Sequence, residues 1–514
     1  MVAAWLLGIG LLVKREYFKT SALRFEEAAA RVGPGSSYYT LTMGGAQVGY
    51  AASTIDTLPD TIAVQSNTVL DIQALGTVQQ TGITTVIKLS RTLRLLSFEA
   101  DLASGTTHFR ASGRTDGDSA LDVSIEAGGP PRRSRIRLRR PLVLPELVNL
   151  RLAVGGVLRS GQSYTLRIFD PMLMEERDVL MQVLAESTMV YPDSAAFDST
   201  ARRWVPARLD TVRAYRVSET YGGVSLESWI DAQGNVVRST SALGFNMERT
   251  AFEIAVQNWR HDRERGASAA AGAGSDVIGA TAIAANIRLD PEELRVLRVK
   301  VGNVALSGFD LSGGRQRLAG DTLVVTRETG LGTGPAGPRP SLFESRLPLG
   351  SGGDTAVAQA LQSEPLVQSD NPLIQARARL IVGRERRAGP VAQLLTRWVY
   401  DTLEKKITIS VPSALQVLET RSGDCNEHTV LYVALARALG LPARTAAGVV
   451  YLRGQFYYHA WPEVWLGQWV AVDPTFGQFP ADASHLRFVI GGLARQVELV
   501  RLIGQLRLTV VPTR

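Results

Sequence analysis

Between Ser37 and Asp262, apolar and polar positions alternate in short runs, as in SYYTLTM, QVGYAAS, TTVIKLS and SYTLRIF. A period of two puts successive side chains on opposite faces of a strand, so these runs predict antiparallel β structure. WIDAQGNVVRST, residues 229 to 240, reads as two short strands about a Gly-containing turn. The region is expected to form one sheet or two, with Pro141 to Pro145 as the meeting point if there are two.

The pattern changes on either side. A helix is expected through Ala22 to Arg31, closed by the Gly-Pro-Gly break at 33 to 35. GASAAAGAGSDVIGATAIAAN, 266 to 286, is a stretch of small residues with the character of a linker. LRVLRVKV and DTLVVTR, within 294 to 327, predict further strands, and GLGTGPAGPRPS, 330 to 341, lacks the Gly-Lys-Ser/Thr ending of a phosphate loop and reads as a connector. From Asn371 the spacing becomes three and four, in NPLIQARARLIVG and VAQLLTRWVYDTL, which predicts amphipathic helices. The expected organisation is an α+β multidomain chain: an N-terminal apolar segment and helix (1–35), a β-rich region (36–262), a linker (263–290), a short β-rich segment with connector (291–350), and a mixed domain (351–514).

Composition narrows the class. The chain has 514 residues, 45% hydrophobic and 20% charged, the proportions of a globular protein rather than a disordered one. The net charge is +7, carried mostly by Arg. The one dense basic run, PRRSRIRLRR at 131 to 140, alternates Arg135, Arg137 and Arg139 with Ile136 and Leu138, as a strand with one solvated face does. No aromatic interleaving accompanies it, so no nucleic-acid partner is expected. A single cysteine excludes an internal disulfide, and no Cys/His cluster suggests a metal or other cofactor. MVAAWLLGIGLLV at the N-terminus is shorter than the roughly 20 apolar residues of a spanning helix, and is read as part of a membrane anchor with the remaining domains extracytoplasmic. The outline of the β-rich region resembles the wrapped sheets of bacterial envelope proteins.

That cysteine, Cys425, lies in RSGDCNEHTVLYVALARALGLPAR. Val430, Leu431, Ala434, Leu435, Ala438 and Leu439 follow helical spacing, and Gly440 with Pro442 ends the run. Cys425 is therefore expected in the first helical turn, where free N–H groups and the positive dipole end lower a thiol pKa and can receive an oxyanion. Asp424 is the expected N-cap. An inert buried thiol is the plainer alternative. His428, three residues on, shares the face of Cys425 and could assist it or merely pack.

Farther along, YYHAWPEVW and QWVAVDPTF read as a hairpin joined at Leu466 to Gln468. With a three-residue loop Trp465 opposes Trp469, and His459 lies diagonal to Asp473 on one face; a two-residue loop would send them to opposite faces. Trp461 is expected to wall the cleft, and Trp465 and Trp469 to pack in the core. Tyr457 and Glu463 share that face without an assigned role, while His108, His261 and His485 are taken as ordinary surface or core residues.

These blocks, Cys425 at a helix start, His459-Ala460-Trp461 and Asp473-Pro474-Thr475, resemble the transglutaminase-like superfamily of papain-type folds over roughly 366 to 490. The resemblance implies a helical lobe presenting Cys425 to a sheet presenting His459 and Asp473. It also implies amide-bond chemistry on a protein or peptide through a thioester, resolved by water or an amine, with no cofactor. Where a papain-like enzyme offers a Gln upstream of the thiol, this chain has Glu419, with Gln416 farther off. The rival expectation is a non-catalytic peptide-binding or envelope scaffold that keeps the fold.

Overall fold

The computed structural model describes residue 29 and residues 32–512 except 75–76, 106, 118, 139–140, 157, 171–174, 222–223, 242–243, 266–278, 280, 330–341 and 407–410. The N-terminal apolar run, most of the helix expected at 22–31, most of the small-residue linker and the Gly/Pro connector lie outside the described residues.

The alternating segments become β1 (Gly35–Met43), β2 (Ala46–Thr57), β3 (Thr61–Ala74), β4 (Thr77–Ser90), β5 (Leu95–Ser104), β6 (Thr107–Asp116), β7 (Ala120–Glu126) and β8 (Arg132–Arg137). They continue as β9 (Ser163–Asp170), β10 (Glu175–Asp198), β11 (Arg203–Tyr221), β12 (Val224–Asp231), β13 (Val236–Thr240) and β14 (Phe245–Thr250). All fourteen form one antiparallel sheet, ordered β8 to β1, then β14 to β9. There is one sheet, not two, because Tyr38 to Met43 of β1 pair with β14 on one side while β1 pairs with β2 on the other. Pro141 to Pro145 instead belongs to the crossover between the two outer edges, β8 and β9, which carries helix α1 (Val148–Val154).

Val148, Leu150 and Leu152 of α1 share a core with Ile62, Ile87, Phe98 and Phe109 of one half and Phe169, Val179 and Val217 of the other. Both halves can share that core only if the sheet curls over the helix, which the twist of long sheets favours. The turn expected in 229 to 240 is present, its Asp231 carboxylate accepting from the Gln233 and Asn235 backbone N–H groups at 3.0 and 2.8 Å. The basic run forms edge strand β8, where Arg135 pairs with Asp116 and Asp122 in solvent.

Beyond helix α2 (Asn258–Glu264), the described residues of the C-terminal unit form two larger sheets and a short parallel pair, β19 (Glu404–Lys405) with β20 (Ser422–Gly423). One larger sheet contains β15 (Ile283–Ala284), β21 (Ala443–Leu452), β22 (Gln455–Trp465), β23 (Trp469–Ala471) and β24 (His485–Ile490). The other is β17 (Gln316–Ala319), β18 (Thr322–Thr326), β16 (Val296–Gly302) and β25 (Arg507–Val510). Leu297, Val299 and Leu323 of this second sheet share a core with Val449, Phe456, Leu486 and Phe488 of the first. The boundary expected at 351 therefore divides a sheet, since β16 pairs with both β18 and the chain's last strand. The helical lobe holds α3 (Pro372–Val382), capped by Asn371; α4 (Ala388–Thr402); α5 (Ala414–Thr420); and α6 (Cys425–Ala438). No described helix is long and apolar enough to cross a membrane.

The curled sheet docks on this lobe through the turn after β7. The Ala127 carbonyl accepts from Ser413 Oγ at 2.7 Å and Gln368 Nε2 at 3.1 Å. The adjoining Gly128 has φ 66°, and a Cβ there would lie 2.0 Å from Gln416 Cγ.

Candidate active site

The thiol sits where the helical spacing places it. Asp424 is the N-cap of α6: its carboxylate accepts from the Asn426 N–H at 2.8 Å, and its own N–H donates to Glu427 at 3.0 Å, a reciprocal capping box. Cys425 begins the helix, partly exposed at one end of the core between the two C-terminal sheets. Its helix α6 packs against β22, the strand that carries His459. The expected lowering of the thiol pKa is not met. Burial pushes it well above the ordinary value, Asp424 adds to this, the Ala460 N–H works the other way, and Glu427 and Asp473 raise it further. A helix end stabilises an anion by only about 0.3–1 kcal/mol near the surface, too little to outweigh desolvation and three carboxylates.

The hairpin has the three-residue loop, with Trp465 paired to Trp469 and Glu463 to Ala471. His459 Nε2 donates to Asp473 Oδ2 at 2.7 Å, both residues being buried. The carboxylate beside Nε2 keeps the proton there and leaves Nδ1 as the basic nitrogen. Oδ1 of Asp473 accepts from the backbone N–H groups of Thr475 at 2.7 Å and Phe476 at 3.1 Å. Burial alone would raise the pKa of Asp473, but His459 and His485 hold it far below the usual carboxylate range.

His485, read from sequence as an ordinary residue, belongs to this group. It is fully buried, and its Nε2 donates to the same Oδ2 of Asp473 at 2.9 Å. Its Nδ1 faces Asp482 Oδ1 at 3.2 Å. A signal existed in the sequence: His485 opens the apolar run HLRFVI, where a buried imidazole requires partners, and Asp482 precedes it by three. Phe476 was also missed; its ring stacks on His459 at 5.0 Å, while Trp461 stacks at 6.1 Å and meets the His485 ring edge-on.

Other expected residues take other places. His428 is buried and its Nδ1 donates to the Asp424 carbonyl at 2.6 Å, tying it to its own helix rather than to the thiol; burial lowers its pKa. Gln416 spends its amide on the His108 carbonyl at 2.5 Å, inside the contact with the curled sheet, while Glu419 is exposed. Glu463 is buried between Arg444 and Arg487, and Trp465 and Trp469 are half-buried, with Arg444 over the Trp469 ring.

The donor atoms of His459, Asp473 and His485 lie within 4.8 Å of one another, the compactness of a metal group. Each Nε2, however, points at the carboxylate oxygen at hydrogen-bonding distance and so carries a proton, which makes it a donor rather than a metal ligand.

Each comparison with known proteins that finds a likeness covers only part of the chain. The family model of the transglutaminase-like superfamily matches residues 375–474. No curated protein matches the chain. Among solved structures, a "putative cysteine protease" from Cytophaga hutchinsonii is similar at 18% identity and TM-score 0.27, over 43% of this chain and 83% of its own. A "beta-barrel-like protein of domain of unknown function DUF1849" from Brucella abortus is similar at 12% identity and TM-score 0.29, over 43% of this chain and 96% of its own. The C-terminal region of the chain, at residues 375–474, thus carries the core of the transglutaminase-like superfamily.

Proposed function

We propose that the C-terminal unit performs cysteine-dependent amide-bond chemistry on a protein or peptide, with Cys425 as nucleophile, His459 as base and acid, and Asp473 as the carboxylate that orients His459. The observation that carries this reading is the 2.7 Å bond from His459 Nε2 to Asp473, with His459 on β22, the strand against which α6 and its first residue Cys425 pack. Because the thiol rests protonated, His459 Nδ1 takes its proton as sulfur attacks the carbonyl, rather than meeting a preformed thiolate. The Cys425 backbone N–H, at the first position of α6, supports the developing oxyanion. His459 then returns the proton to the departing nitrogen, leaving a thioester, and water or an amine releases the acyl group. Attachment to a membrane through the N-terminal apolar run is part of the same proposal.

One observation favours a second reading, a peptide-binding scaffold that retains the fold: burial and carboxylates hold the thiol neutral. Incubating the full-length protein with a protein substrate and a fluorescent primary amine separates the two. Peptide release or amine incorporation, lost in Cys425→Ala and His459→Ala with the fold intact, supports the enzyme; equal turnover without the thiol, or none in the native protein, rejects it.

A further inference from the structure

We infer that His485 is a positioning residue of this site: anchored by Asp482, it shares Oδ2 of Asp473 with His459 and thereby fixes the carboxylate that orients His459. The inference rests on the proposed role of Cys425, His459 and Asp473.

The hydrogen-bond count requires a residue there. Asp473 offers about four acceptor positions. Two are taken at Oδ1 by Thr475 and Phe476, and two at Oδ2 by His459 and His485, at 2.7 and 2.9 Å. With His485 removed, one acceptor position of a wholly buried carboxylate loses its donor, and the carboxylate is free to turn about the bond that His459 depends on. Asp482 is held in turn by its own loop: Gln478 Nε2 donates to its Oδ2 at 2.8 Å, and the Ser484 N–H donates to its Oδ1 at 2.8 Å. Orientation thus passes from a closed loop through Asp482 and His485 to Asp473 and His459.

Charge leads to the same assignment. Both ring nitrogens of His485 face carboxylate oxygens, so both carry hydrogen and the ring is an imidazolium. Asp473 and Asp482 are 0% and 4% exposed, and two buried carboxylates need two cations. The titratable groups that face His485 are these two and the His459 ring at 5.8 Å, while Trp461 and Phe476 close the rest of its surroundings with aromatic edges. Farther along β24, the Arg487 guanidinium is directed at Glu463, at 2.8 Å, rather than at Asp473 or Asp482. With His485 charged, the cluster becomes neutral when His459 accepts the thiol proton. Without that charge it stays net negative and opposes the thiolate formed alongside.

Cys425 is the only thiol in the chain, so whole-protein alkylation reads it without interference. The test measures the iodoacetamide rate of the full-length protein against pH, with turnover and thermal unfolding recorded beside it, for the native chain, His459→Asn, His485→Gln and Asp482→Asn. His485→Gln keeps an N–H donor but removes the charge. It is expected to move the onset of alkylation upward by about one pH unit, the scale of a nearby charge, and to lower kcat about tenfold with KM changed less than twofold. Asp482→Asn frees the His485 ring without making the cluster more negative, so it is expected to lower kcat by a smaller factor with the onset not raised, and its kcat decides the matter if His485→Gln does not fold. An onset that moves in His459→Asn but stays native in folded His485→Gln, or a native kcat in Asp482→Asn where His485→Gln does not fold, overturns this inference and leaves the proposed function standing. An onset unmoved in both His459→Asn and His485→Gln overturns both.

Discussion

The curled sheet and the thiol-bearing unit handle charge in opposite ways. On the sheet, Arg167 with Asp178 and Arg216 with Glu227 form ion pairs whose side chains are roughly half exposed. In the C-terminal unit Arg487, Glu463 and Arg444, Arg315 with Glu328, and the Asp482–His485–Asp473–His459 chain are nearly closed to solvent. Water screens the first kind, and each pair contributes about 0–1 kcal/mol. The second kind is costly to break, because the surviving partner is left charged and dry. The sheet therefore tolerates change in its polar surface, whereas the C-terminal unit stores both its fold and its chemistry in a few buried groups.

That contrast can be tested by matched substitutions. The largest effect is catalytic: Asp473→Asn is expected to lower turnover by about 10²–10⁴, since the imidazole loses its orienting charge, while Asp178→Asn on the sheet leaves the rate unchanged; steady-state kinetics on both variants checks this. Next comes stability. Glu463→Gln strands Arg487 and Arg444 in the interior and is expected to cost about 3–5 kcal/mol, against less than about 1 kcal/mol for Glu227→Gln, read from denaturant midpoints at constant slope. A native-like midpoint for Glu463→Gln would erase the distinction.

Acid should separate the regions in a third way. Asp473, Asp482 and Glu463 are all pushed up by burial yet held below their ordinary values by histidine or arginine partners. Their contribution is present above the unfolded values near 4 and is lost as the pH falls below them. Burial raises Asp71 and Glu219 of the sheet, so their sign is reversed: their contribution is present at low pH and lost as the pH rises. His485 is opposed by burial but raised by Asp473 and Asp482, so its contribution is complete below about 6.5 and fades above. Hydrogen exchange by region should show the C-terminal unit opening first below about pH 4; the sheet opening first would contradict this assignment. The smallest expected effect concerns the junction. Gly128→Ala places a methyl against Gln416 at a positive φ, and should loosen the docking turn by about 1–2 kcal/mol without altering either core; faster exchange confined to 127–129 and 413–416 is the readout.

Much of the candidate site was legible because it is local. Helical spacing after Cys425, an N-cap at Asp424 and the dependence of hairpin parity on loop length are short-range rules; they put His459 and Asp473 on one face provided the loop has three residues, as the pairing of Trp465 with Trp469 shows it does. The strand alternation of 37 to 262 was equally plain, but the pairing of β1 with β14, which makes one sheet of it, joins segments about two hundred residues apart and leaves no mark in the alternation. His485 and Asp482 escaped for a related reason: a hydrogen bond between elements is decided by how they come together in space, and β24 is separated from the His459 strand by β21 in the sheet.

The sequence by itself determined where a thiol would meet a helix start and that one hairpin carries both imidazole and carboxylate, on one face or on two according to its loop, since backbone periodicity and turn length act over a few residues. Tertiary structure decided the rest: that the thiol lies among carboxylates with a raised pKa, that a second imidazole divides the aspartate, and that the sheet seals Gln416 into its interface. Desolvation and charge pairing depend on what surrounds a group in space, and only the folded chain supplies those surroundings.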